Sequence, residues 1–567
     1  MSLAGVSEPS SRNSSSNRAL WLWLIPLIFL AVFFFYPLAA VFRMAGSISL
    51  VKAGQTSAWG QVAQPLAFTL WQAVLSTGLT LLLGLPAAFI FARFSFPLKN
   101  LLRVLVTLPF ILPTVVVAVG FNALLGPHGL VNSTLMSAFN LQEAPLKVMN
   151  TLAAILLAHI FYNTSVVIRV VGSSWTQLDP RLEQAGRVLG ASPWRVLSEV
   201  TLPLLLPAIL AATLLVFLFD FTSFGVILLL GGPRFATLEV AIYTQALEML
   251  NLPLAGLLSA VQLGCTLLMV VIYTRLSSKQ AVPLMPRLQG EGTRKTGGRL
   301  ETMLVFGMVA VLFILLISPL VALVLRSVTI LAAGQGAAHG PAISLDYYHE
   351  LFVNRRQSFF YVPPIQAVKN SLQYALLTVV ISLSMGLLVI YALRPQRRLN
   401  RSLDAFIMLP LGTSAVTLGL GYLLVFNRPP LDVRTFPWLI PIAHSLVALP
   451  FVVRALQPTL CSIPQSLRQA AAVLGASSLR VWYEVDLPIL TRAALVSAIF
   501  AFTISLGEFG ATSFLARPEY PTLPVAIYRY LSQPGELNYG QALAMSTILL
   551  LVCSLCIFLI EKISREG

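Results

Sequence analysis

Charge is scarce in this chain. Only 10% of its 567 residues are Asp, Glu, Lys or Arg, against 57% hydrophobic, and mean hydropathy is +0.83. Soluble domains carry about 25% charged residues. So few charges cannot cover a water-facing surface, and lipid must be the solvent for much of it. Acidic residues are scarcer than basic ones, 21 against 37, leaving a net charge of +16. Such an excess could suit nucleic acid, but the basic residues sit in short loops between apolar runs and form no face or arm, which excludes that partner. Four cysteines make no disulfide framework. Cys553 and Cys556 form a C-x-x-C inside a continuous apolar run, where they read as small packing residues, not a redox pair. No G-x-x-x-x-G-K-[ST] phosphate loop occurs, so the chain does not hydrolyse ATP in the P-loop manner. H-E-x-x-H and G-x-S-x-G are missing too. No catalytic residue, cofactor or metal site is expected in the chain itself.

What is abundant is apolar runs of about 20 residues, the length that crosses a bilayer core. Twelve can be marked: 20–42, 68–92, 104–125, 151–171, 204–230 and 255–273, then 303–325, 371–393, 405–426, 436–456, 489–515 and 540–560. Several contain proline (Pro109, Pro113, Pro410, Pro441), which packed membrane helices tolerate. With the N-terminus in the cytoplasm, about two-thirds of the Lys and Arg residues fall on the cytoplasmic side, among them Arg93, Lys99, Arg103, Arg394, Arg397, Arg398 and Arg401. The expected protein is an all-α, multi-pass protein of the cell membrane, with both termini cytoplasmic and lipid as a partner. Residues 1–19 are Ser-rich and expected to be disordered. The run 20–42 is long for a signal peptide and reads as a retained helix.

The chain is a duplication. From the fourth span of each half onward the offset is 285: His159 pairs with His444, Arg169 with Arg454, Gly190 with Gly475, Phe224-Gly225 with Phe509-Gly510. TLEVAIY (237–243) pairs with TLPVAIY (522–528). In the second and third spans the offset is 301, pairing Pro109 with Pro410 and Gly120 with Gly421. Six spans per half give both repeats the same orientation, with a pathway expected between them. The organisation expected is a first repeat over 20–275, a basic cytoplasmic linker over 276–300, and a second repeat over 301–567.

Between spans four and five the chain reads LEQAGRVLGASPWRVLSEVTLP (182–203), and its repeat reads LRQAAAVLGASSLRVWYEVDLP (467–488). Each copy predicts a short helix, a glycine turn at Gly190 or Gly475 where left-handed backbone is cheap, a second amphipathic stretch, and a Leu-Pro that opens the next span. The small pairs Ala185-Gly186 and Ala470-Ala471 are expected to admit a partner's backbone. This pattern resembles E-A-A-x3-G-x9-I-x-L-P of the permease subunits of bacterial ABC importers, where the loop is the coupling helix that docks on the ATPase. The matching positions are Gln184, Ala185, Gly186, Gly190, Val200, Leu202 and Pro203, then Gln469, Ala470, Ala471, Gly475, Val485, Leu487 and Pro488. Gln replaces the leading Glu in both copies, and Gly186 replaces an Ala. The resemblance implies a type I importer permease fold, two copies of a separate ATPase subunit that binds ATP and Mg²⁺, and an extracytoplasmic solute-binding protein.

Ionisable residues inside spans are candidates for the pathway. His159 and His444 hold equivalent sites, and Asp220 and Glu508 lie three residues apart in repeat register. They either line the passage for a cationic cargo or hydrogen-bond between helices at turns that interrupt the spans. The segments 229–247 and 507–532 resemble fused permeases of the ferric-iron and thiamine importers. Ferric iron is the first expectation for cargo and thiamine the alternative. The rival class is an ion-driven secondary transporter of two like halves, for which paired coupling loops would be superfluous.

Overall fold

In a bilayer, backbone N–H and C=O groups have no partner but each other, so the apolar runs fold as helices. A computed structural model describes residues 22–47, 58–278, 293–330, 342–353, 362–393, 403–432 and 436–565, except 233, 405 and 430. The expected N-terminal tail, most of the linker, and Arg394, Arg397, Arg398 and Arg401 lie outside the described residues.

The first half runs α1 (Leu22–Gly46), α2 (Ala58–Arg93), α3 (Lys99–Ile111), α4 (Thr114–Leu125), α5 (Leu130–Phe139), α6 (Leu152–Gln177), α7 (Pro180–Val188), α8 (Pro193–Phe221), α9 (Gly225–Leu230), α10 (Leu238–Tyr243) and α11 (Leu252–Ser278). The second runs α12 (Arg299–Ser327), α13 (Pro364–Leu393), α14 (Phe406–Gly412), α15 (Ala415–Val425), α16 (Leu439–Ser462), α17 (Gln465–Val473), α18 (Ser478–Gly507), α19 (Gly510–Leu515), α20 (Leu523–Leu531) and α21 (Glu536–Arg565). The pairs α7/α17 and α9/α19 show how strict the duplication is: α17 begins and ends 285 positions after α7, and α19 does so after α9. The described residues also hold a short helical segment, Asp346–His349 continued by Glu350–Phe352, a π turn over Thr244–Glu248, and two short antiparallel pairs: Thr329–Ile330 with Ala342–Ile343, and Asn427–Arg428 with Leu431–Asp432.

Among the described residues eleven helices are long and apolar enough to cross a membrane, or twelve if the bent pair α14–α15 counts as one. The expected spans need correction where they held a break. The run 104–125 divides between α3 and α4 at Leu112-Pro113, because Pro113 has no N–H and stands in extended backbone (ψ 138°). The stretch long enough to cross there is Thr114–Phe139. Its repeat, 405–426, bends by 106° between α14 and α15. There Ser414 Oγ accepts from the N–H groups of Val416 and Thr417, capping α15. The runs 204–230 and 489–515 likewise stop at Phe221 and Gly507, then restart as α9 and α19.

Leu202-Pro203 and Leu487-Pro488 do not open their spans. Helices α8 and α18 start earlier, at Pro193 and Ser478, and run continuously through one π turn each, Leu197–Thr201 and Trp482–Asp486. The wider turn relieves the clash that a proline ring makes with the carbonyl four residues back.

The first span of each half packs on the other repeat as well as on its own. Helix α1 lies against α15, where the Cβ position of Gly421 is 2.9 Å from the Pro37 carbonyl oxygen. Helix α12 lies against α4, where that of Gly120 is 2.9 Å from the Pro319 carbonyl oxygen. Only glycine allows backbones this close, and small residues are the usual means of close helix packing in lipid. The two repeats are thus strapped together by reciprocal contacts.

Candidate functional site

The hairpins 182–203 and 467–488 are built alike. Asp179 accepts from Arg181 N–H at the start of α7. The helix closes with Ala191 N–H donating to Gly186 O at 3.0 Å and Gly190 N–H to Arg187 O at 3.0 Å. Ala476 to Ala471 and Gly475 to Ala472 repeat this at 3.0 Å each. Gly190 (φ +86°) and Gly475 (φ +83°) hold the left-handed position that such a closure needs. Ser192 and Ser477 then cap the next helices through Arg195 and Arg480 N–H.

The side chains at the tips have nothing to pack on. Val188, Leu189, Val473 and Leu474 are each 87% exposed, with Trp194 and Leu479 beside them. Gln184, Ala185, Gln469 and Ala470 are exposed as well, and so are Leu202, Pro203 and Pro488, while Leu487 is half-buried. One expectation is corrected: the Cβ position of Gly186 is 3.2 Å from Val196 Cγ2, so the small residue admits the hairpin's own second helix, not a partner. Ala471 holds the same half-buried place.

Each hairpin is tethered to the membrane spans by a carboxylate. In the first repeat Glu183 of α7 pairs with Arg93 of α2 and accepts from Thr201 Oγ1 at 3.1 Å. In the second, Arg468 of α17 donates to Asp486 at 2.6 Å, and Tyr391 of α13 donates to the other oxygen of Asp486 at 3.2 Å. Positions 183 and 468 are repeat partners, as are 201 and 486, so the acid has moved from the hairpin to the span while the tether survives. Sequence reading missed these residues, although the 285 offset already displays the exchange of Glu for Arg and Thr for Asp. It missed Glu239 too, a buried carboxylate in α10 that accepts from Gln262 of α11.

The intramembrane candidates assemble as two clusters, one per repeat. His159 Nδ1 lies 3.3 Å from Asp220 Oδ1, and its Nε2 lies 2.9 Å from Ser223 Oγ. His444 Nδ1 lies 2.7 Å from Ser505 Oγ, and its Nε2 lies 3.2 Å from Glu508 Oε2 and 2.8 Å from Thr512 Oγ1. Both imidazoles present the same edge to the same register positions, yet carboxylate and serine have changed places. All four candidates are buried. Asp220 also accepts from Asn163 at 2.6 Å, and Glu508 accepts from the N–H groups of Ala511 and Thr512 at 2.8 and 2.9 Å, capping α19. Both clusters therefore brace helix breaks. Among the described residues no group of three or more His, Cys, Asp or Glu is placed to hold a metal ion.

A family model, binding-protein-dependent transport system inner membrane component, matches residues 80–281 and again 371–565. The chain belongs to that family. It is a fused, two-repeat permease of an ABC importer, a multi-pass inner-membrane transport subunit and not an enzyme. The permease is 28% identical to the thiamine transport system permease protein of Salmonella typhimurium over 95% of this chain and 96% of that one. It is 26% identical to a probable ABC transporter permease protein of Sinorhizobium fredii over 91% and 92%. A putative 2-aminoethylphosphonate transport system permease protein of Salmonella typhimurium is 30% identical over 46% of the permease and 93% of its own length. The ion-driven carrier is thereby set aside.

Proposed function

We propose that the permease carries a small solute, thiamine before ferric iron, from an extracytoplasmic binding protein into the cytoplasm. Support for thiamine comes from relatives that share the fused architecture over nearly their whole length and are named for that cargo. This moves the expectation away from iron.

The hairpins 182–203 and 467–488 are the docking surfaces for two copies of an ATPase, which binds the ATP and Mg²⁺. One observation carries this reading: two hairpins of the same shape, in repeat register, present the same unpacked apolar tips, Val188-Leu189 and Val473-Leu474. Exposed apolar tips rimmed by polar residues mark protein contacts. The tethers through the half-buried Glu183 and the buried Asp486 would pass movement of a docked partner directly to spans α2, α8, α13 and α18. Docking on the cytoplasmic face requires both termini to be cytoplasmic, as the distribution of Lys and Arg also argues.

The test is the full permease reconstituted with its ATPase and binding protein. ATP hydrolysis and uptake are measured with thiamine, 2-aminoethylphosphonate and ferric iron in turn. Thiamine is expected to stimulate both, and stimulation by ferric iron alone would replace the cargo.

A further inference from the structure

Phe224 and Phe509 hold the same place in the two repeats, each in the break that ends a long helix. Their rings stack on one another with centroids 5.4 Å apart and planes 24° from parallel. Equivalent residues of two symmetry-related units can touch each other only on the axis that relates the units. The ring pair therefore marks the axis between the repeats. Tyr243 and Tyr528, also repeat partners, close on it from either side, at 5.4 Å from Phe224 and 5.6 Å from Phe509. Tyr243 reaches across to Phe514 of the other repeat, edge-on at 5.9 Å. Space around the stack is filled. The Cβ position of Gly225 is 3.3 Å from the Phe509 ring, and that of Gly507 is 3.3 Å from Pro113 Cγ in the opposite half. Both phenylalanines are buried.

A path between like-oriented repeats runs along their axis, and nothing solvated passes two stacked rings. Each ring also sits on a helix break, where fewer backbone hydrogen bonds resist a swing than in mid-helix. We propose that the Phe224–Phe509 stack is the seal of the translocation path, opened when the two breaks part. The inference rests on the permease reading and not on the cargo.

The test uses the full permease with its ATPase in liposomes loaded with thiamine and sucrose, without ATP or binding protein. Phe224→Ala with Phe509→Ala is expected to raise passive efflux of both solutes on the order of tenfold, the factor that corresponds to about 1.4 kcal/mol lost from the closed state. A double variant that still assembles with the ATPase and is as tight as wild type overturns the seal. Should alanine let the breaks collapse together, a second arm decides. Phe224→Cys with Phe509→Cys, made without Cys265, Cys461, Cys553 and Cys556, is joined by a short bis-thiosulfonate. Linking is expected to abolish ATP-driven uptake and reduction to restore it, whereas uptake by the linked protein at the unlinked rate refutes the proposal. Absence of thiamine uptake in the wild type would count against the cargo alone, because the sucrose arm still reads the seal.

Discussion

Replacing Asp220 by serine, the residue that holds its place in the second repeat, is expected to weaken the first repeat by about 2–4 kcal/mol. The buried Asn163 amide would lose the acceptor it meets at 2.6 Å, at a cost of about 1–3 kcal/mol. His159 would exchange a carboxyl partner for a hydroxyl whose shorter side chain reaches it less well, worth about a further 1 kcal/mol. The second repeat avoids these losses because its surroundings differ in step. The counterpart of Asn163 is Ala448, the counterpart of Ser223 is Glu508, and the counterpart of Ile227 is Thr512, whose hydroxyl and N–H meet Glu508. Asn163→Ala, Asp220→Ser, Ser223→Glu and Ile227→Thr together would rebuild that set in the first repeat at unchanged net charge. The N–H groups of Val226 and Ile227 stand where those of Ala511 and Thr512 cap α19. Thermal denaturation of the detergent-solubilised chain, followed by size-exclusion chromatography, reads the outcome. A clear loss is expected for Asp220→Ser and recovery of most of it for the fourfold exchange. If the single change is harmless, or the fourfold variant no better than the single one, the two clusters are not one interchangeable brace.

Asp220→Asn with Glu508→Gln keeps size and an acceptor at both buried sites, so uptake close to wild type is expected in a transport assay; loss of uptake with the ATPase still bound would place the acids in the pathway. Gly190→Asp with Gly475→Asp strains two left-handed turns by roughly 1–2 kcal/mol each with open space around both Cβ positions, so the chain should fold and lose its ATPase in co-purification; normal uptake would remove these hairpins as the docking surface. Gly421→Val pushes a side chain into the Pro37 carbonyl and should cost about 1–3 kcal/mol, seen as a lower melting temperature than for valine at Gly307, where nothing lies near. Cysteines placed at Gly297 or Ser192 are expected to label only from the cytoplasmic side of intact cells, and labelling from outside would reverse the orientation.

The spans, the duplication and the two hairpins were legible in the chain alone because each rests on local signals. Bilayer thickness sets the length of an apolar run, repetition shows as a constant offset, and a helix closure asks for glycine at Gly190 and Gly475. The breaks at Pro113 and before Phe224 and Phe509 were half-visible. Proline and the SFG and EFG turns announce an interruption, but apolar length alone does not say where one helix stops and the next begins. Which residues meet across the structure was decided by tertiary packing. That α1 belongs against α15 follows from Gly421 meeting Pro37, nearly 400 positions away in sequence, and no periodicity relates them. The carboxylates of Asp220 and Glu508 look unrelated along the chain, three residues out of register. They become one device only when two imidazoles present the same edges to them. The stack of Phe224 on Phe509 exists because the axis between the repeats passes through both breaks. The position of that axis is set by how twelve runs of similar hydrophobicity pack in lipid, where apolar burial no longer selects partners and close shape and buried hydrogen bonds must do so.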